Sequence, residues 1–255
     1  MKSLYLLTLN GEKEMKKLAI FPKSLNKEED IYICYLNLDI LRIIEGGGIV
    51  KVLYEDKKDE IIGLVCGEFY DNYFIIPYLF GPNLPLKSKL LSQIFKEIQN
   101  KKIILKVPSN DEKLIQYLME NNFKLINTFI LFVGKKENLK MDFPLAPSQE
   151  LKTSIERIDS LIFSYLLFEK KCIGVLNAQK LGINFPIVKI SSIYIDEKYR
   201  NKKMGSFLLF SFLSFLFKEE KYYVISEVPL GNLPAVRLFS SFNFGIVGSY
   251  KVLIK

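Results

Sequence analysis

The chain has 255 residues, a mass of 29.6 kDa and a formal net charge of +8, with 49% of its residues hydrophobic and 25% charged. That balance excludes a disordered chain and allows either one large domain or two of about half the length. Histidine is absent and the three cysteines, Cys34, Cys66 and Cys172, stand far apart, so Ser-His-Asp and Cys-His couples are excluded and a zinc site has too few ligands.

Near the N-terminus the apolar run Leu4 to Leu9 is too short for a secretory core. The longest apolar run, Phe207 to Phe217, falls well short of the ~20 residues that a bilayer requires. The expectation is a cytoplasmic protein with no metal and no membrane partner. Lysine supplies 32 of the 36 basic residues, and these are scattered among acidic neighbours, which reads as a solvated surface rather than a nucleic-acid footprint.

In chain order, Glu45 to Gly48 lacks the Gly-Lys-Ser/Thr of a phosphate loop and reads as a turn before the strand IVKVLYE. A series then follows: strand IIGLVCGEF, strand YFIIPYLFG, helix LKSKLLSQIFKEIQ, strand KIILKVP, helix DEKLIQYLMENN and strand FKLINTFILFV. A stretch from Gly134 with two prolines and no apolar period reads as a linker. The same order then recurs as CIGVLNAQ, IVKISSIYI, a helix from Gly205, KYYVISEVP, the helix NLPAVRLFSSF and FGIVGSYKVLI.

The anchors match as well. Ile62-Gly63 answers Ile173-Gly174, Val107-Pro108 answers Val228-Pro229, and Asn122-Phe123 answers Asn243-Phe244, with 16 residues from Val to Phe in both copies. The reading is two α/β (α+β) domains of one plan, 1–140 and 145–255, each a mixed, mostly antiparallel sheet flanked by helices. The helix from Gly205 is apolar nearly all round, so one side should meet its own sheet and the other the first domain or a second subunit, as in a homodimer.

Between the strand IVKISSIYI and that helix lies DEKYRNKKMG. A strand, a short cationic turn and a helix N-terminus make an anion site, because unpaired backbone N–H groups converge there and the helix dipole favours negative charge. Gly205 suits close approach of the backbone to a phosphate, and Arg200 offers a planar fork.

The segment IYIDEKYRNKKMGSFLL resembles the pyrophosphate-binding segment of the GNAT acetyltransferase superfamily, Arg/Gln-x-x-Gly-x-Gly/Ala. Arg200 takes the first place and Gly205 the last, while Lys203 stands at the first glycine. Downstream, NLPAVRLFSSFNF resembles the family's second segment through Asn232, Ala235, Leu238 and Phe244. Phe239 replaces the family's tyrosine, and Asn243 replaces its glycine at a helix end where Asn tolerates the left-handed conformation. The first copy has LFGPNLPLKSKLL here, with two prolines and no matching glycine, and is the degenerate one.

The resemblance implies an N-acetyltransferase that moves acetyl from acetyl-CoA to a primary amine by direct attack. Ile193, Tyr194 and Ile195 would pair with the cofactor arm. The amides of Arg200, Asn201, Lys202, Lys203, Met204, Gly205 and Ser206 would cradle its pyrophosphate, and Asn232 and Phe239 would lie along it. Glu227 is the first candidate base and Asp196 the second. Phe239 cannot protonate the thiolate, so Tyr250 or Tyr194 stands in, or the thiolate leaves unaided. Two other readings stay open: a non-catalytic GNAT-fold CoA-sensing or protein-interaction module, and a resemblance to the Fem-type aminoacyl transferases, which pair two such domains.

Overall fold

The computed structural model describes residues 4–8, 40, 42–55, 60–98, 101–141, 150–181, 186–219 and 222–255. In chain order its elements are β1 (Leu4–Thr8), β2 (Ile49–Glu55), β3 (Glu60–Tyr70), β4 (Tyr73–Phe80), α1 (Leu84–Glu97), β5 (Lys102–Pro108), α2 (Glu112–Glu120) and β6 (Lys124–Lys135). Then follow β7 (Leu151–Ile158), β8 (Leu161–Phe168), β9 (Lys171–Leu181), β10 (Ile187–Ile195), a 3-10 turn (Glu197–Tyr199), α3 (Met204–Glu219), β11 (Tyr223–Pro229), α4 (Leu233–Ser241) and β12 (Gly245–Ile254). Strands and helices alternate in the repeated order read from the sequence, and the fold is α/β with mostly antiparallel strands flanked by helices.

Two compact units form. Among the described residues one takes the chain up to Phe129 together with Gly248–Lys255, and the other takes Ile130–Val247. The divide expected near residue 145 lies outside the described residues, and Gly134 and Lys135 end β6 rather than open a linker. In the first unit the strands run β1-β2-β3-β4-β5-β12, with β4 and β5 parallel over Tyr73–Ile76 and Lys102–Leu105. In the second the order is β7-β8-β9-β10-β11-β6, with β10 and β11 parallel over Ile187–Ile190 and Tyr223–Ser226. The β7–β8 hairpin, which turns at Asp159 with φ 53°, is an addition to the expected elements.

The closing strands are exchanged. The sequence reading gave each copy its own last strand, but β12 lies antiparallel to β5 with Leu253 opposite Leu105, and β6 lies beside β11. Two repeats of one plan offer the same strand edge at β5 and at β11, so either closing strand completes either sheet, which is the logic of a domain swap within one chain.

Local chemistry sets the helices. Asn83 Oδ1 accepts from the Leu86 amide at 3.1 Å, Asp111 from Leu114 at 3.3 Å and Asn232 from Ala235 at 3.3 Å, each satisfying one orphan N–H at a helix start. Both short helices stop at an asparagine in the left-handed region, Asn122 at φ 67° and Asn243 at φ 62°. On α1, Leu90, Leu91 and Ile94 form the buried stripe. α3 buries Leu208, Leu209, Phe212, Leu213 and Leu216 fully in the second unit's core, and Phe207, Phe210 and Phe215 pack on that core half-buried. Arg157 of β7 covers the Phe215 ring, its guanidinium carbon 4.7 Å from the ring centre. No helix among the described residues is long and apolar enough to cross a membrane.

Leu253 is fully buried in the first unit's core. Leu253→Ala should cost about 2–5 kcal/mol, read by urea unfolding. Native-state hydrogen exchange should quicken in β5; quickening in β11 instead would overturn the exchanged pairing.

Candidate active site

β10 carries the site because it leaves its parallel partner early. The ladder to β11 ends at Ile190 and Ser226, and on the other side the register to β9 shifts between Ile190 and Ser192. Ser192–Ile195 stay paired with β9 through Asn177–Gly174, while the edge toward β11 is not continued in the parallel ladder. A diverging pair leaves a row of backbone donors and acceptors for an added extended chain. The first unit repeats the device: the β4–β5 ladder ends at Ile76 and Leu105, and the register to β3 shifts just beyond.

Ile193 and Ile195 pack half-buried on the second unit's core, and Tyr194 is exposed. Asp196 then ends the strand. Its amide donates to the Ile173 carbonyl at 2.8 Å, and its side chain accepts from the Lys198 amide at 3.0 Å, capping the 3-10 turn. Arg200 turns back: Nε donates to the Ile195 carbonyl at 2.9 Å, Nη1 lies 3.4 Å from Glu197 Oε1, and the guanidinium lies 5.7 Å from the Tyr194 ring centre. Arg200 therefore ties the loop to the strand end. Tyr199 anchors the loop on the core beside Phe168, and the Lys202 ammonium lies 5.8 Å from its ring centre.

The loop backbone passes twice through the left-handed region, at Asn201 with φ 62° and at Lys203 with φ 60°. Lys203 thus adopts the conformation that glycine takes most cheaply at the place where the family motif has glycine. Its carbonyl accepts from the Phe207 amide at 3.0 Å as α3 begins, and the first-turn amides of Met204, Gly205 and Ser206 have no partner within the helix. Gly205 lies in that first turn without positive φ, and a Cβ there would meet only Ile195 and Leu238 at 3.8 Å. The fold itself accepts alanine at this position.

The other predicted residues fall in three places. Asn232 caps α4. Phe239 is 2% exposed, its ring stacked 5.5 Å from Phe132 and set edge-on 5.0 Å from Phe244, which in turn fills the space that a side chain at Gly134 would take. Glu227 on β11 accepts from Lys189 Nζ at 3.0 Å, both side chains largely covered. Tyr250 lies in the first unit, stacked on Phe129 at 5.2 Å with the Lys106 ammonium 5.0 Å from its ring centre.

Two features escaped the sequence reading. Lys189, partner of Glu227, sits 38 residues away, and the pair exists only because β10 and β11 run parallel in this register. The hydrogen bond from Asn177 Nδ2 to Ser192 Oγ, 2.9 Å, depends on the irregularity before Ser192. Among the described residues no group of three or more His, Cys, Asp and Glu could hold a metal ion.

The parallel pair thus diverges just before a cationic loop and the start of α3. Residues 135–244 match the family model described as Acetyltransferase (GNAT) family. Among solved structures, a GCN5-related N-acetyltransferase from Sphaerobacter thermophilus is similar, with a TM-score of 0.73 and 9% identity over 98% of this chain and 95% of that one. So is a tandem GNAT protein from the clavulanic acid biosynthesis pathway, with a TM-score of 0.70 and 10% identity over 99% of this chain and 98% of that one. No curated protein matches by sequence.

Because Lys203 holds a left-handed backbone, Lys203→Gly should stabilise the protein by about 1 kcal/mol and Lys203→Val destabilise it by a similar or larger amount. Urea midpoints of the two variants check this, and a destabilised glycine variant would contradict the loop geometry.

Proposed function

We propose that the chain is an N-acetyltransferase that transfers the acetyl group of acetyl-CoA to a primary amine by direct attack. The observation that carries this reading is Gly205: the protein has room for a side chain there, so the absence of one is explained by what approaches from outside. A pyrophosphate set against the first turn of α3 would take the loop and helix amides, each charge-assisted hydrogen bond contributing about 1.5–3 kcal/mol. The pantetheine arm would then lie along the Ser192–Ile195 edge as an added strand, with Asn232 beside it.

In this reading the amine nitrogen attacks the thioester carbonyl carbon, the carbonyl oxygen takes the negative charge, and collapse breaks the C–S bond to release CoA thiolate. Glu227 takes the proton from nitrogen, directly or through water, with Lys189 fixing the carboxylate in place. Asp196 is committed to its cap, and Tyr250 to its stack in the first unit, which leaves the exposed Tyr194 as the protein acid, or a thiolate that leaves unaided, as a thiol of pKa ~8.5 permits.

We assign the site to the half spanning 145–255 and take 1–140 as the degenerate half. In the first unit the start of α1 is already served by the Asn83 cap, Pro82 and Pro85 supply no amides, and Lys87 reaches across to Asp111. Lys106 stands there where Glu227 stands in the second unit. A cytoplasmic setting suits the free thiol of Cys172.

The ion pair on Glu227 and the burial of Phe239 favour a second reading, a GNAT-fold module that binds CoA without turnover. Release of thiol from acetyl-CoA with an amine present separates the two.

Calorimetric titration with acetyl-CoA should show one site per chain. Gly205→Ala should weaken binding by about tenfold or more, the loss of about one such hydrogen bond. Gly205→Glu should abolish it while keeping the fold, since an acid in the first turn suits the helix dipole. Unchanged binding in both variants would remove the loop assignment.

A further inference from the structure

The β7–β8 hairpin serves neither the loop before α3 nor the parting edge of β10, and it ends the second unit's sheet. Among the described residues no strand lies beyond β7. Its register on β8 is unbroken from Leu151 opposite Phe168 to Ile158 opposite Leu161, and the turn between them has two residues, Asp159 and Ser160. A turn of that length closes on a hydrogen-bonded pair, and from Ile158 and Leu161 the alternation of an antiparallel ladder runs back along the strand. The backbones of Glu156, Ser154 and Lys152 therefore bond to β8, and those of Ile155 and Thr153 aim their N–H and C=O groups outward.

The side chains alternate between the two faces of the sheet. Leu151 and Ile155 pack on the core with α3, and Arg157 covers the Phe215 ring, so the odd-numbered positions line the α3 face. Lys152, Ser154 and Glu156 stand on the opposite face and are exposed, with Glu156 bonded to the Tyr165 phenol. That face of the edge carries a cation and an anion placed evenly on either side of Ser154.

Pairing β7 with a second copy of itself, antiparallel about Ser154, suits both the backbone and the charges. Thr153 comes opposite the second copy's Ile155, and Ile155 opposite its Thr153, as hydrogen-bonded pairs made by groups already aimed outward. Lys152 comes opposite the second copy's Glu156, twice by symmetry, at non-hydrogen-bonded positions, where side chains approach most closely, about 4.5–5.5 Å between Cβ atoms. Other centres fail on charge. Centred at Thr153 the pairing sets Glu156 against Glu150, centred at Ile155 it leaves Lys152 opposite Ile158 and Glu156 opposite Ser154, and centred at Glu156 it sets that carboxylate against itself. An edge guarded against its own copies would carry charges that repel in every register, and this one attracts in a single register.

We propose that β7 is a self-association edge, at which two copies of the chain pair β7 to β7 in antiparallel register about Ser154, selected by the two Lys152–Glu156 pairs. The contact is isologous and closes at two copies. It does not depend on the acetyltransferase reading. One edge ladder buries less than a standard interface of about 1,600 Å², so the dimer exchanges readily with monomer.

Sedimentation velocity of the full chain between about 1 and 100 μM should show a reversible monomer–dimer equilibrium, as a small interface gives. Lys152→Glu and Glu156→Lys should each weaken the dimer by about tenfold or more, because each sets like charges opposite one another at two places. Both substitutions in one chain should restore dimerisation to within about threefold of the wild type, since the pairs are re-formed with their signs exchanged. The two positions are exposed, and thermal unfolding should show the monomer intact in all three variants. Thr153→Pro removes an outward N–H at an edge, where proline spares the chain's own ladder, and should abolish the dimer. A monomer at every concentration, growth beyond two copies, a dimer unmoved by the single reversals or by Thr153→Pro, or a double reversal that fails to restore it would overturn the proposal.

Discussion

The parallel ladder between β10 and β11 is only four residue pairs long, and the candidate site follows from where it stops. Beyond Ile190 the two strands part, β10 keeps its place in the sheet through β9, and its free edge leads straight into the loop before α3. Had the ladder continued to Ile195, the backbone groups of Ser192–Ile195 would be spent on β11. Nothing extended could then be added beside them. The irregularity before Ser192 belongs to the same event: it turns Ser192 to the face of Asn177 and lets the strand bend away.

The loop that follows is rigid by construction rather than by composition. Arg200 is drawn back onto the Ile195 carbonyl, Asp196 caps the 3-10 turn, and Tyr199 is seated on the core, so the exposed lysines ride on a fixed frame. Strain is confined to Asn201 and Lys203, whose left-handed backbones reverse the chain into the helix. α3 has no comparable freedom, since its apolar circumference is held in the second unit's core. A helix so deeply seated presents its first-turn amides at a defined place, which is what an anion site made of backbone requires.

The corresponding stretch of the first unit keeps the parting strands and loses the rest. There the ladder ends at Ile76 and Leu105, but the turn to α1 is short, proline-bearing and already capped by Asn83, and Lys87 is engaged with Asp111. The same scaffold thus appears once with its helix start open and once with it served by its own side chains. Asn122 and Asn243, both left-handed after their helices, show how closely the backbones of the two copies otherwise agree.

The sequence by itself determined the order of strands and helices, the repeat, the cationic loop before an apolar helix and the helix-ending asparagines. Each of these depends on neighbours within one or two turns, through periodicity, caps and backbone preference. Only the tertiary structure decided which closing strand completes which sheet, because β6 and β12 suit either edge and local pattern cannot choose between equivalent partners. It also decided that Glu227 faces Lys189, that Phe239 is walled in by Phe132 and Phe244, and that Asn177 meets Ser192. The pairings of Glu227 with Lys189 and of Asn177 with Ser192 are set by strand register, and a register shifted by one residue would send those side chains to the other face of the sheet.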